Sequence, residues 1–171
     1  MKQKINMVDI TQKKPTARTA VATGKIFFSK QAYLSIKNGK ITKGDPLNVA
    51  QIAGLLAAKN VPQTIPLTHP INITHCNIDL QLKCSQRFSP TTNQGRGFNV
   101  GKSKLKKFFV EATSTVKLIS KTGPDIEAMY ATAVALLTIY DMIKPIDPAA
   151  VISDLKLVQK TGGKSNFKIN L

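Results

Sequence analysis

The sequence predicts an α+β fold in a single domain spanning 1–171, with helices covering one face of an antiparallel sheet, and three observations carry that expectation. Two segments, Ile71 to Leu82 and Phe108 to Ile119, alternate apolar and polar residues in the manner of strands. Two others, opening at Asp45-Pro46 and after Gly123-Pro124, combine helix start signals with helical apolar spacing. The patterns follow one another as strand, helices, strand, strand, helix, strand, with no internal repeat. At 171 residues, with 42% hydrophobic and 20% charged side chains, the composition is that of a folded domain and not of a disordered chain.

Residues 1–15 read as an extended arm, mixed Lys, Gln and Thr with little periodicity. Ala17 to Phe28 is an irregular strand. Ser29 can cap a short helix through Ile36, and Asn38-Gly39 supplies a left-handed stop. At Asp45-Pro46 a side-chain acceptor precedes proline at the first helical position, opening a helix from Pro46 to Asn60. It places Val49, Ile52, Ala53 and Leu56 on one stripe, while Ala53, Gly54, Ala57 and Ala58 let another backbone come close. Three prolines make 61–70 a turn or extended loop.

In the first alternating segment Ile78, Leu80 and Leu82 share a face, opposite Asn77, Asp79 and Gln81; in the second, Val110, Ala112, Val116 and Leu118 do. The two pair as an antiparallel hairpin across a long loop. The last major helix carries Asp125 and Glu127 in its first turn, where they complement its dipole. Ile126, Met129, Tyr130, Ala133, Val134 and Leu137 are its expected buried face, and Pro145 ends it. Val151 to Gln159 is a final strand with Leu155 and Leu157 inward, and the tail from Thr161 to Ser165 follows.

Charge narrows the function classes. Lys and Arg number 25 against 9 Asp and Glu, a formal +16, which points to anionic partners, nucleic acid or small polyphosphates. From Gln81 to Lys121 there are nine positive side chains and one acid, Glu111. Within that span Ser85 to Ser103 has loop composition, and its two aromatics, Phe88 and Phe98, are too isolated for a base-stacking platform. The stretch reads as a solvated basic loop, with an electrostatic funnel as the alternative. Several of the few acids sit at element ends, which favours a built site over a charged coat. Two cysteines, Cys76 and Cys84, build neither a disulfide framework nor a paired metal knuckle. A reducing, cytoplasmic setting is the simplest expectation, with neither a membrane-spanning run nor a secretory signal.

Several motifs invite chemistry. Gly162-Gly163-Lys164-Ser165 resembles a phosphate loop but lacks the glycine five positions before Gly163, where Val158 stands. His69, His75 and Cys76 fail as a zinc set, because alternation separates His75 from Cys76 and no second close pair exists. His69 lies in the proline-framed Leu67-Thr68-His69-Pro70, suited to a hydrogen-bonded loop role, to phosphate binding or to proton transfer. Asp141 and Lys144 share a helix face as an exposed ion pair or an acid–base couple. Lys40 and Lys43 precede Gly44-Asp45 at a helix start, a plausible phosphate cradle.

Together these segments resemble one family, cyclic pyranopterin monophosphate synthase (molybdenum cofactor biosynthesis protein C). The stretches that carry the likeness are Met7-Val8-Asp9-Ile10, Lys43-Gly44-Asp45, Ile52-Ala53-Gly54, Ile65 to Pro70, Lys121-Thr122-Gly123, Glu127-Ala128-Met129, Leu137 to Met142, and Lys160 to Ser165. They occur in the family's order and cover the chain nearly end to end. The resemblance implies a ferredoxin-like fold, a homo-hexamer built as a trimer of dimers, and active sites at subunit interfaces. It implies a lyase that converts a cyclised dihydro-GTP to cyclic pyranopterin monophosphate and releases pyrophosphate, with hand-off from the radical enzyme that makes the substrate. By motif, Lys43, Asp141 and Lys144 match the catalytic group. Leu67, Thr68, His69, Glu127, Met129, Lys160, Arg18, Lys59 and Lys164 match substrate-binding or supporting positions. No cofactor or resident metal is expected beyond magnesium accompanying the triphosphate. Where family members often have Cys and Glu, this chain has Thr68 and Asp125, and its basic stretch of about 85–107 is an insertion between strands. A nucleic-acid-binding protein and a catalytically dead scaffold of the same fold are the competing expectations, the first disfavoured as a partner class.

Overall fold

The computed structural model describes residues 5–85 and 107–169. The elements run β1 (Thr16–Phe28), α1 (Lys30–Lys37), α2 (Pro46–Lys59), β2 (His75–Ser85), β3 (Lys107–Ser120), α3 (Asp125–Ile143), β4 (Val151–Thr161) and β5 (Phe167–Lys168). Among the described residues five strands form one sheet, in the order β2-β3-β1-β4-β5, and every pairing is antiparallel. With the two crossovers through helices, β1 to β4 make the ferredoxin-like βαββαβ arrangement, as expected. The loop expected across the hairpin falls, at 86–106, outside the described residues.

Local signals act as expected. Ser29 caps α1 by accepting from the Ala32 N–H at 3.3 Å, and Gly39 stops it at φ +64°. Asp45 caps α2, accepting from the N–H groups of Leu47 and Asn48. In the hairpin Ile78 faces Ser114 and Leu80 faces Ala112 on the helix-covered side. Buried hydroxyls are satisfied there: Thr132 donates to Ser114 at 2.9 Å, and Thr23 to the Ala112 carbonyl at 3.1 Å.

The helix faces differ from expectation. The Val49, Ile52 and Leu56 stripe of α2 points outward, at 42, 61 and 54% exposure, while Ala50, Gly54, Ala57 and Ala58 are buried. Small residues take the inner face because α2 lies close on α3: a Cβ on Gly54 would sit 3.0 Å from the Ala131 carbonyl. In α3 the buried face is Glu127, Ala128, Ala131, Thr132, Ala135, Leu136, Ile139, Met142 and Ile143, and the six residues expected there are not among them. That helix is apolar around most of its circumference, so periodicity does not select its face; close approach to β1 does. At the contact Gly24 leaves room for Leu136 and Thr132, since a Cβ there would come within 2.8 Å of Leu136 Cδ1. By length and composition α3 is also apolar enough to cross a membrane, contrary to the expectation of no such run. Its inner face nonetheless belongs to the core on the sheet.

β4 departs in one place. Leu155, expected inward, is exposed at 38%. The register with β1 shifts between Thr23 and Lys25, and Asp154 adopts φ +57°, turning the strand there. Beyond it, β5 is a strand that no sequence pattern announces: Phe167 pairs with Lys160 at the sheet edge.

Candidate active site

Two polar centres lie at opposite ends of α3. The first is built where the turn before α2 meets the C-terminus of α3. Ile41 is buried, Gly44 closes the turn at φ +99°, and its N–H donates to the Ile41 carbonyl at 3.0 Å. That turn presents Lys43, whose Nζ lies 2.6 Å from Asp141 Oδ2 and 3.3 Å from the Asp141 carbonyl. Lys144, three residues on, donates from Nζ to Asp141 Oδ1 at 2.8 Å. Each carboxylate oxygen thus meets its own ammonium.

Hydrogen bonds from Lys144 and then Lys43 hold the Asp141 carboxyl down at about 2. Asp141 in turn raises Lys144. Of the two sequence readings of Asp141 and Lys144, an exposed ion pair or an acid–base couple, the single chain shows the exposed ion pair. All three side chains are about half-exposed, at 49 to 51%, so ion pairing outweighs desolvation. The cluster is ionised, carries one net positive charge, and is suited to an anion.

The second centre is a cleft of about 330 Å³ at the N-terminal end of α3. One wall is the loop Leu67, Thr68 and His69; another is Thr122, Gly123, Ile126 and Glu127; the third is Val8, Ile10 and Lys13 of the arm. Thr68 spends its hydroxyl on the loop itself, donating to the Ile65 carbonyl at 2.8 Å. Glu127 is only 3% exposed, and burial, helped by the charge of Asp125, pushes its carboxyl up to about 7 against a hydrogen bond from its own backbone. Sequence reasoning does not find the contribution of Val8, Ile10 and Lys13, although Val8 and Ile10 lie in a stretch that carries the family resemblance.

The remaining expected residues gather near this second end or stand apart. Lys160 pairs with Asp125 at 3.3 Å. Arg18 donates from Nε to the Ser120 carbonyl at 2.9 Å. Beside it the Gly162-Gly163 turn is tied down: Thr16 donates to the Gly162 carbonyl at 2.7 Å, and the Gly162 N–H donates to Asn166 Oδ1 at 3.1 Å. Lys164 is exposed on that turn. Lys59 ends α2, near enough to Cys76 to pull its thiol back against the upward push of burial. Met129 packs against Ala20, Ala22, Val116 and Ala128 and does not line the cleft. Among the described residues no three His, Cys, Asp or Glu side chains come together as metal ligands.

Fold and sites define a ferredoxin-like α+β protein with a lysine-clamped carboxylate at one end and a cleft lined by Lys13, His69 and a buried glutamate at the other. The MoaC family matches residues 7–163, and the chain belongs to that family. Relatives across nearly the whole chain agree. Cyclic pyranopterin monophosphate synthase of Clostridium botulinum (strain Alaska E43 / Type E3) is 43% identical over 164 residues, covering 96% of this chain and 90% of the relative. The synthases of Heliobacterium modesticaldum (strain ATCC 51547 / Ice1), 40% identical over 95% of this chain and 89% of the relative, and of Nocardioides sp. (strain ATCC BAA-499 / JS614), 38% over 93% and 85%, bear the same name.

Proposed function

We propose that this chain is a cyclic pyranopterin monophosphate synthase, a lyase of molybdenum cofactor biosynthesis that converts 3',8-cyclo-7,8-dihydro-GTP to cyclic pyranopterin monophosphate and pyrophosphate. The observation that carries the reading is Asp141 held between Lys43 and Lys144 at 2.6 and 2.8 Å, in a chain whose relatives bear that name over nearly its full length. Two ammonium groups beside one carboxylate suit a triphosphate: they meet its charge, stabilise departing pyrophosphate, and leave an acid and a base within reach of one another. Opening one ring and closing another needs protons delivered and removed at different atoms, and Asp141, Lys43 and Lys144 do that work. His69, Leu67, Thr68, Glu127, Arg18, Lys59, Lys160 and Lys164 bind or support the substrate. Met129 contributes through the packing of α3. Magnesium carried by the triphosphate can be held by phosphate and water.

The site is completed between copies. Asp141 and Glu127 are fourteen positions apart on one helix, ~21 Å at 1.5 Å per residue, too far to act on one small substrate in one chain. Exposed Val49, Ile52 and Leu56 on α2 and Ile126 and Leu137 on α3 supply apolar surface for such contacts. A homo-hexamer, a trimer of dimers, brings the two ends together, in a cytoplasmic setting where the radical enzyme that makes the substrate hands it over. The test is a coupled assay for pyrophosphate and pterin product with wild type, Lys43→Ala and Asp141→Asn. Activity in the wild type, lost in both folded variants, is the expected result. An inactive wild type that is folded and hexameric sinks the reading.

A further inference from the structure

The side of the sheet away from the helices carries an arrangement of its own. Strand alternation turns Ile26, Val110 and Ala112 into the core and their neighbours outward. On that outer side Phe27 of β1 lies opposite Phe109 of β3, with ring centroids 5.3 Å apart and planes tilted by 38°. Both rings are partly exposed, and each carries an ammonium. Lys107 Nζ stands 5.5 Å from the Phe27 centroid, and Lys25 Nζ 5.7 Å from that of Phe109. Glu111 is the acid beside them. Lys83 pairs with it closely, while Lys25 stays at 3.5 Å, beyond the usual length of a charge-assisted bond. Three lysines thus surround one carboxylate and two rings. Beside Phe27 a recess of about 400 Å³ opens at the end of the sheet, lined by Phe27, Phe28, Phe108, Val151, Ser153 and Lys107.

We propose that this outer sheet face binds a short single strand of nucleic acid, its bases stacked on Phe27 and Phe109 and its phosphates met by Lys25 and Lys107. Such binding needs aromatic faces that a base can cover and cations that follow the backbone. The tilted pair supplies the first on the face of a sheet, as RNA-recognition modules do. Lys25 and Lys107 supply the second. Their long stems let each ammonium leave its ring for a phosphate while a base takes its place. Lys83 stays on Glu111 and keeps that carboxylate from repelling the strand. The recess beside Phe27 gives the strand room to turn off the sheet. Charge also favours this occupant over a second copy of the chain, which at a formal +16 would set lysine against lysine across the face. The platform uses no residue of the proposed reaction.

The test is fluorescence anisotropy of a labelled oligouridine on the full chain across a salt series, beside a duplex of equal length. Wild type should bind the single strand and prefer it to the duplex. Replacing both rings, Phe27→Leu with Phe109→Leu, should weaken binding about 10- to 100-fold, the scale of one or two stacked bases, with the salt slope kept. Phe27→Tyr with Phe109→Tyr, which keeps both rings, should restore it. Lys25→Met with Lys107→Met should reduce the slope of log K against log salt by about 1.4, two phosphates at ~0.7 each. Lys37→Met, at the end of α1, should leave it unchanged. Thermal unfolding and light scattering accompany each variant; should the leucine pair fail to fold, the lysine pair and the duplex decide. Absence of binding by wild type, equal affinity for the duplex, or a folded leucine pair that binds like wild type overturns the proposal. A slope lowered as much per lysine by Lys37→Met does so too, since charge is then spread over the whole surface. A change of assembly in the leucine pair also overturns it, because the face then belongs to contacts between copies.

Discussion

Glu127 makes stability depend on pH in an unusual direction. Its carboxyl is raised from 4.5 to about 7 because the residue is 3% exposed, with the negative charge of Asp125 adding to the effect. Between these two values the folded chain holds a proton that the unfolded chain releases. The contribution is therefore fully present below the unfolded value and is lost as pH rises through the folded one. A raise of that size corresponds to about 3 kcal/mol, most of it lost between about pH 5 and about pH 8. Glu127→Gln keeps the shape, removes the titration, and should abolish that part of the slope. The assay is urea unfolding at both pH values, wild type against Glu127→Gln, at one fixed protein concentration so that assembly does not shift the comparison. Other titrating groups cancel in the difference between the two proteins. If wild type and variant lose stability in parallel, within about 0.5 kcal/mol, the buried carboxyl is not titrating as argued and the reasoning fails.

Three further outcomes follow from the geometry. Asp141→Asn should lower kcat/KM by about 10²–10⁴-fold, the range for a lost acid–base group, with Lys43→Ala comparable and the double variant far from additive, since both lie in one ion-paired cluster. Gly162→Ala should cost about 2–3 kcal/mol and lower Tm in a thermal scan, because φ is +83° and the new Cβ would fall 1.9 Å from the Ala17 carbonyl. Leu56→Glu, at a side chain 54% exposed in the single chain, should leave monomer stability within about 0.5 kcal/mol yet dissociate the proposed hexamer in light scattering; a variant that assembles like wild type would remove α2 from the proposed interface.

Much of the fold is legible because local signals and tertiary needs agree. The hairpin alternates over its length and Asp45-Pro46 is a strong helix start; the helix opens where expected, while the first hairpin strand begins at His75, four residues after the expected Ile71. The faces of α2 and α3 are not legible. On helices rich in both large and small apolar residues, the largest side chains attract the reading, but the close approach of α2, α3 and β1 selects the smallest. The Lys43, Asp141 and Lys144 cluster is half-legible: Asp141 and Lys144 are one turn apart, whereas Lys43 arrives from 98 positions away. Their charge state is not legible, because spacing says nothing of exposure. The arm is least legible. Val8, Ile10 and Lys13 carry no periodicity, and the arm is held by Lys121, which donates to the Thr11 carbonyl at 2.8 Å from 110 positions away.

The two ends of α3 displace their carboxyls in opposite directions, and this bears on how one reaction could use both. Asp141, open to water and doubly paired, is fixed as an anion well below neutrality, while Glu127, buried and close to another acid, is poised near it. Carboxyls pushed apart in this way are the arrangement from which one fold draws an ionised group and a proton donor at the same pH. In a lone chain the helix keeps them ~21 Å apart, and the exposure of Asp141 commits its lysines to the ion pair. A second copy covering the first centre would desolvate that cluster, raising the Asp141 carboxyl and lowering the Lys144 ammonium. Assembly would then do two things at once. It would bring the glutamate of one copy to the lysine-clamped aspartate of another, and it would move the cluster toward the neutrality that acid–base work requires. Activity and assembly are then lost together in Leu56→Glu, even though Leu56 belongs to neither centre.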